Sequence, residues 1–84
     1  MAASSELIDN MKTVLADTFT MYMKAHGYHW NVIGIDFPQL HEFFGDIYGE
    51  LWAATDDIAE QIRQLDSFSP GTLARMVELT TVVE

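Results

Sequence analysis

Asn31-Val32-Ile33-Gly34-Ile35-Asp36-Phe37-Pro38 decides the fold, because it separates two long runs that share one helical periodicity. Before it, Leu7, Met11, Val14, Thr18, Met21, Ala25 and Tyr28 recur at steps of three and four, and Ile8, Leu15, Phe19 and Tyr22 widen that stripe. Asp9, Asn10, Lys12, Thr13, Asp17 and Lys24 fall mostly on the opposite side. The pattern predicts a helix over residues 5–31, capped by Ser4 or Ser5. After the interruption, Leu40, Phe44, Ile47, Leu51, Ala54, Ile58, Ile62 and Leu65 form a second, heptad-like stripe. This predicts a helix over residues 37–66, opened by an Asp36/Gln39 capping box with Pro38 in its first turn. Gly34 is expected to end the first helix. Two long helices joined by so short a link pack as an antiparallel hairpin.

Ser67-Phe68-Ser69-Pro70-Gly71-Thr72 punctuates the chain again, and residues 73–82 are expected to add a short third helix. The sequence reaches Thr80-Thr81-Val82-Val83-Glu84 without a helix-capping signal, as though the polypeptide continued. Gly45 and Gly49 interrupt the second helix, each costing about 0.8–1 kcal/mol relative to alanine, so a close-packed helix is expected across them. The five methionines read as flexible core filler.

The fold class is therefore all-α in one small domain. With 49% hydrophobic residues the chain is too apolar for disorder, yet 84 residues bury little surface unless they are metallated or oligomeric. A net charge of −9 with four Lys plus Arg argues against binding a nucleic-acid backbone, which needs clustered cations. No Lys or Arg precedes Lys12, so DNA is not an expected partner. The apolar runs are too short for a bilayer, and residues 1–6 carry neither the basic start nor the apolar stretch of a secretion signal. Together with the lack of cysteine, these features lead to the cytoplasm as the expected compartment, with no membrane partner.

Four donors stand out. His29 and His41 lie twelve residues apart on either side of the turn, and Asp56 and Glu60 follow at i, i+4 spacing. Singly, each has an ordinary reading as a solvated acid pair or a satisfied imidazole. The hairpin changes this by making His29 and His41 spatial neighbours. Imidazole with carboxylate suits a borderline-hard metal such as ferrous iron. His41 and Asp56 are nevertheless fifteen residues apart, about 22 Å along a helix, beyond the reach of one ion. A second chain packed through a two-fold axis is expected to bring its Asp56 and Glu60 to the first chain's His29 and His41, giving two equivalent sites per dimer. His26 and Asp57 are expected to face solvent, and Trp30 and Trp52 to anchor core or interface, with a second reading as aromatic reductants beside the site.

Ala25-His26-Gly27-Tyr28-His29-Trp30-Asn31, Phe37-Pro38-Gln39-Leu40-His41-Glu42 and Asp56-Asp57-Ile58-Ala59-Glu60-Gln61 together resemble the first half of the Dps-like mini-ferritins. Ser69-Pro70-Gly71-Thr72-Leu73 resembles the start of that family's link between its second and third main helices. The resemblance implies the first half of a ferritin-like four-helix bundle. It also implies one or two iron ions (Fe2+/Fe3+) per intersubunit site, oxidation preferentially by peroxide rather than oxygen, and storage of ferric mineral in a dodecamer. Carried over by position, His29, His41, Asp56 and Glu60 are the metal-binding and catalytic residues, with Glu60 bridging. The chain departs from the family where an aspartate usually follows the second histidine by four residues and Gly45 stands instead; Asp46 points about 100° away. One of the two iron positions is expected to be weakened. The family's last two long helices have no counterpart. The alternative function is a non-catalytic helical oligomerisation module or an inactive truncated ferritin-like fragment.

Overall fold

The computed structural model describes residues 4–83 and contains three helices in order: α1 (Ser5–Asn31), α2 (Phe37–Gln64) and α3 (Leu73–Leu79). Helices α1 and α2 run side by side in an antiparallel hairpin, and α3 folds back onto α1. No described helix is long and apolar enough to cross a membrane.

Local chemistry sets most of the boundaries. Ser4 caps α1, its Oγ accepting from the Leu7 amide at 3.1 Å, and Thr72 caps α3 by the same means through Arg75. The expected Asp36/Gln39 capping box does not form. Asp36 has φ −90° and ψ 12°, short of the extended backbone from which a capping carboxylate reaches the first-turn amides. The start of α2 is held instead by Pro38 in the first turn and by backbone bonds from Phe37 to Gly34 and from Leu40 to Asp36. Gly34, with φ +102°, serves the turn itself, while Val32 ends α1 in extended conformation.

Two helices stop earlier than their sequence patterns suggest. Asp66 takes a left-handed conformation (φ 64°), and the Asp66 and Ser67 amides bond back to Arg63 and Ile62, closing α2 at Gln64 rather than at Asp66. Such a stop usually needs glycine or asparagine, but aspartate is among the residues that tolerate it. Helix α3 ends at Leu79 instead of Val82 because Asp17 on α1 offers a better acceptor. Thr80 Oγ1, the Thr81 amide and Thr81 Oγ1 donate to its carboxylate at 2.8, 2.6 and 2.8 Å. Lys24 extends the clamp by donating to the Val83 carbonyl at 2.8 Å.

The core lies toward the open end of the hairpin, where Leu15, Ala16, Ile62 and Met76 are buried, with Met11, Phe19, Ile58, Ala59 and Leu79 packed around them. Leu7, Val14, Met21 and Tyr28 of the predicted α1 stripe remain exposed, so α2 covers only one flank of it. Met76 and Met11 fill core space as expected, whereas Met21 and Met23 face outward. Apolar side chains on both long helices therefore stay uncovered within the chain.

Candidate metal centre

At the closed end of the hairpin, His29 in the last turn of α1 meets His41 near the start of α2. The contact is reciprocal. His29 Nδ1 lies 2.6 Å from the His41 carbonyl oxygen, and His41 Nδ1 lies 2.8 Å from the His29 carbonyl oxygen. A carbonyl only accepts, so both Nδ1 atoms carry hydrogen and each neutral ring keeps its lone pair on Nε2. The second bond also satisfies a carbonyl that the end of α1 leaves without an intrahelical donor. The two rings stack at 3.5 Å between centroids and 24° between planes. Phe37 stacks on His41 at 4.9 Å, and Tyr48 meets His29 edge-on at 5.1 Å.

Gly45 explains how His29 enters α2 so deeply. The His41 carbonyl points toward the residue four positions on, and a Cβ there would stand 3.3 Å from both Cε1 and Nδ1 of His29. Hydrogen in place of a side chain leaves room for the ring. The small-residue notch expected from the sequence is thus used at Gly45 by an imidazole of α1, while Gly49 has nothing within 4 Å and makes no such contact.

The acidic donors form a separate group. Asp56, Asp57 and Glu60 are exposed on α2, with ligand oxygens within 4.8 Å of one another. Among the described residues, no histidine joins them. His41 and Asp56 are both on α2, about 22 Å apart by helical rise, so one chain does not unite the four predicted donors. Asp57 faces solvent as expected and sits within this acidic group.

His26 is not a solvent-facing residue. Its ring stacks on Tyr48 at 3.9 Å and 6°, packs against Trp30 at 4.1 Å, and its Nδ1 is 2.8 Å from the Tyr22 hydroxyl. The i, i+4 spacing of Tyr22 and His26 was a signal for their contact, but the position of Tyr48 depends on how α1 and α2 register. Trp30 and Trp52 are not core anchors within the chain: each is 59% exposed, with one face on His26 or Tyr22.

A family model for the ferritin-like domain matches residues 8–84. The chain belongs to the ferritin-like domain family. Within it the similarity is to Dps proteins and their relatives. Antigen TpF1 of Treponema pallidum is 33% identical over 82 residues, which make up 98% of this chain and 46% of the antigen. Its crystal structure superposes with a TM-score of 0.91 at 32% identity, over 95% of this chain and 51% of that one. The DNA protection during starvation protein of Helicobacter pylori is 39% identical over 74 residues, 88% of this chain and 51% of that protein. The Dps protein of Vibrio cholerae O1, described as a member of a broad superfamily of ferritin-like diiron-carboxylate proteins, superposes with a TM-score of 0.87 at 28% identity, over 96% of this chain and 57% of that one. The chain spans about half the length of the curated relatives it matches.

Proposed function

We propose that this chain is a ferroxidase subunit for iron storage and oxidative-stress protection, binding ferrous iron as substrate between His29 and His41 of one chain and Asp56 and Glu60 of a second copy. The observation that carries this reading is the reciprocal bonding of the two imidazoles, which holds both rings in the tautomer a metal needs. Such outer hydrogen bonds orient ligating histidines and raise their basicity. Among the described residues neither Nε2 has a hydrogen-bond partner, so both lone pairs are available to a cation.

The separation of nitrogen and oxygen donors along α2 gives the second copy its role. An antiparallel pair related by a two-fold axis sets the acidic end of one chain against the histidine end of the other and generates two sites. The exposed apolar faces supply surface for such a pair, and closure into a dodecamer extends the same logic. Ferrous iron is a borderline-hard cation that accepts imidazole and carboxylate together. Glu60 bridges where two ions bind, Asp56 supplies a terminal carboxylate, and hydrogen peroxide, the preferred oxidant over oxygen, takes electrons from the bound iron. The scarcity of cations, four Lys plus Arg against thirteen acids, sets DNA aside as a partner of this segment.

Complementation tests the shared site. One variant lacks both imidazoles (His29→Ala, His41→Ala) and another both acids (Asp56→Ala, Glu60→Ala); they are unfolded, mixed and refolded together. Each mixed dimer holds one intact site and one doubly emptied site, so saturable ferrous binding and peroxide-driven oxidation return in part. A mixture as inactive as either parent refutes the shared site.

A further inference from the structure

The shared metal site draws on α2 and on the last turn of α1, and leaves one feature of α1 unused. Leu7, Val14, Met21 and Tyr28 stand seven residues apart along the helix, and each is between 44% and 54% exposed. A straight helix drifts only about 20° per seven residues, so the four form one seam about 32 Å long. A seven-residue apolar repeat is the pattern that beds against another helix. Helix α2 does not take that place; it covers the neighbouring flank, through Leu15 and Tyr22. The charged groups that border the seam are drawn aside by the segment after α3. Asp17 accepts from Thr80 and Thr81, and Lys24 donates to the Val83 carbonyl, so neither is left to oppose an apolar partner.

A compact monomer of 9.5 kDa exposes about 5,000 Å². This chain exposes 5939 Å². The excess of roughly 900 Å² matches the share of about 800 Å² that each partner buries in a standard protein interface. We infer that a second copy of this chain lays its own α1 antiparallel along the seam, closing two hairpins into a bundle of four long helices. A two-fold axis between Asp17 and Thr18 sets Val14 against Met21 of the other copy and Leu7 against its Tyr28, so every level joins a smaller side chain to a larger one. A parallel pair would instead stack Tyr28 on Tyr28 and Leu7 on Leu7. The chain covers 46% of one relative and 51% of another, so a pair supplies about as much polypeptide as one of them. This interface is additional to the one that shares iron, and it does not depend on the ferroxidase reading.

Single cysteines test the register in a chain that has none of its own. Facing seam positions on helices about 8–10 Å apart lie within reach of a disulfide. In metal-free protein under mild oxidation, Val14→Cys mixed with Met21→Cys is expected to give a linked pair. Neither variant alone should do so, nor should Val14→Cys mixed with Leu73→Cys, whose exposed side chain on α3 lies off the seam. Sedimentation equilibrium measures the strength. Val14→Glu is expected to weaken pairing by about tenfold or more, because it sets an unpaired carboxylate in the apolar seam. Val14→Glu with Met21→Lys in one chain should recover it, since each new carboxylate then faces the new ammonium of the other copy. Both positions face solvent in the single chain, so the helical circular dichroism is expected to stay unchanged in all variants. Linking no better than in the Leu73→Cys control, pairing indifferent to Val14→Glu, or a metal-free chain that stays monomeric up to its solubility limit overturns the proposal. No iron enters these measurements, so each outcome leaves the ferroxidase reading where it stands.

Discussion

Replacing Gly45 by alanine sets two measurable effects against each other. Alanine inside a helix is favoured over glycine by roughly 0.8–1 kcal/mol, and at most positions in α2 that gain would be realised. At residue 45 the new Cβ stands 3.3 Å from Cε1 and Nδ1 of His29, closer than carbon atoms pack without strain. The ring cannot retreat freely, because it is stacked at 3.5 Å on His41 and bonded at 2.6 Å to the His41 carbonyl. Overpacking of this kind costs about 1–3 kcal/mol. The expected sum for Gly45→Ala is a loss of about 0–2 kcal/mol, against a gain of roughly 0.8–1 kcal/mol for Gly49→Ala, whose Cβ meets nothing within 4 Å of the chain. Urea unfolding followed by circular dichroism at fixed chain concentration gives both values, the concentration being held because assembly contributes to stability. Displacing the His29 ring also disturbs the bond that fixes its tautomer, so ferrous affinity is expected to fall by about 10–100-fold in Gly45→Ala alone. If Gly45→Ala stabilises as much as Gly49→Ala and leaves metal affinity intact, the steric account of Gly45 is wrong.

Asp17 supplies a pH test. The Thr81 amide bond, opposed by partial burial and aided by the Thr80 and Thr81 hydroxyls, holds its carboxyl below the usual carboxylate range. A depressed folded-state pKa stabilises the folded clamp fully above the unfolded value of about 3.9 and loses that contribution as pH falls through the lower folded value. Exchange protection of the Thr81 amide is therefore expected to persist at neutral pH, to fade in that acid window, and to be absent throughout in Asp17→Ala; equal protection in Asp17→Ala at pH 7 refutes the clamp. Leu15 is fully buried at the centre of the core, so Leu15→Ala should cost about 2–5 kcal/mol in the same urea assay, and a loss below about 1 kcal/mol would mean that the core lies elsewhere.

The hairpin was legible because helical periodicity is a property of neighbours in sequence: the stripes over residues 5–31 and 37–66 and the break at Gly34 need nothing beyond themselves. His29 and His41 could be paired from sequence for the same reason, since a short link between two helices leaves them little choice. The acids were separable from the histidines by helical rise alone.

Tertiary structure decided what depends on groups distant along the chain. The end of α3 is set by Asp17, more than sixty residues away, whose carboxylate draws the Thr80 and Thr81 donors out of the helix. His26 looked like a surface residue until the register of α1 on α2 laid Tyr48 across it. The imidazole tautomers and the purpose of Gly45 follow from one ring reaching one carbonyl across the hairpin, a distance fixed only when the helices pack. Sequence alone determines where the backbone can satisfy itself locally; packing determines which of the remaining donors, acceptors and rings find one another, because that choice is made between elements and not within them.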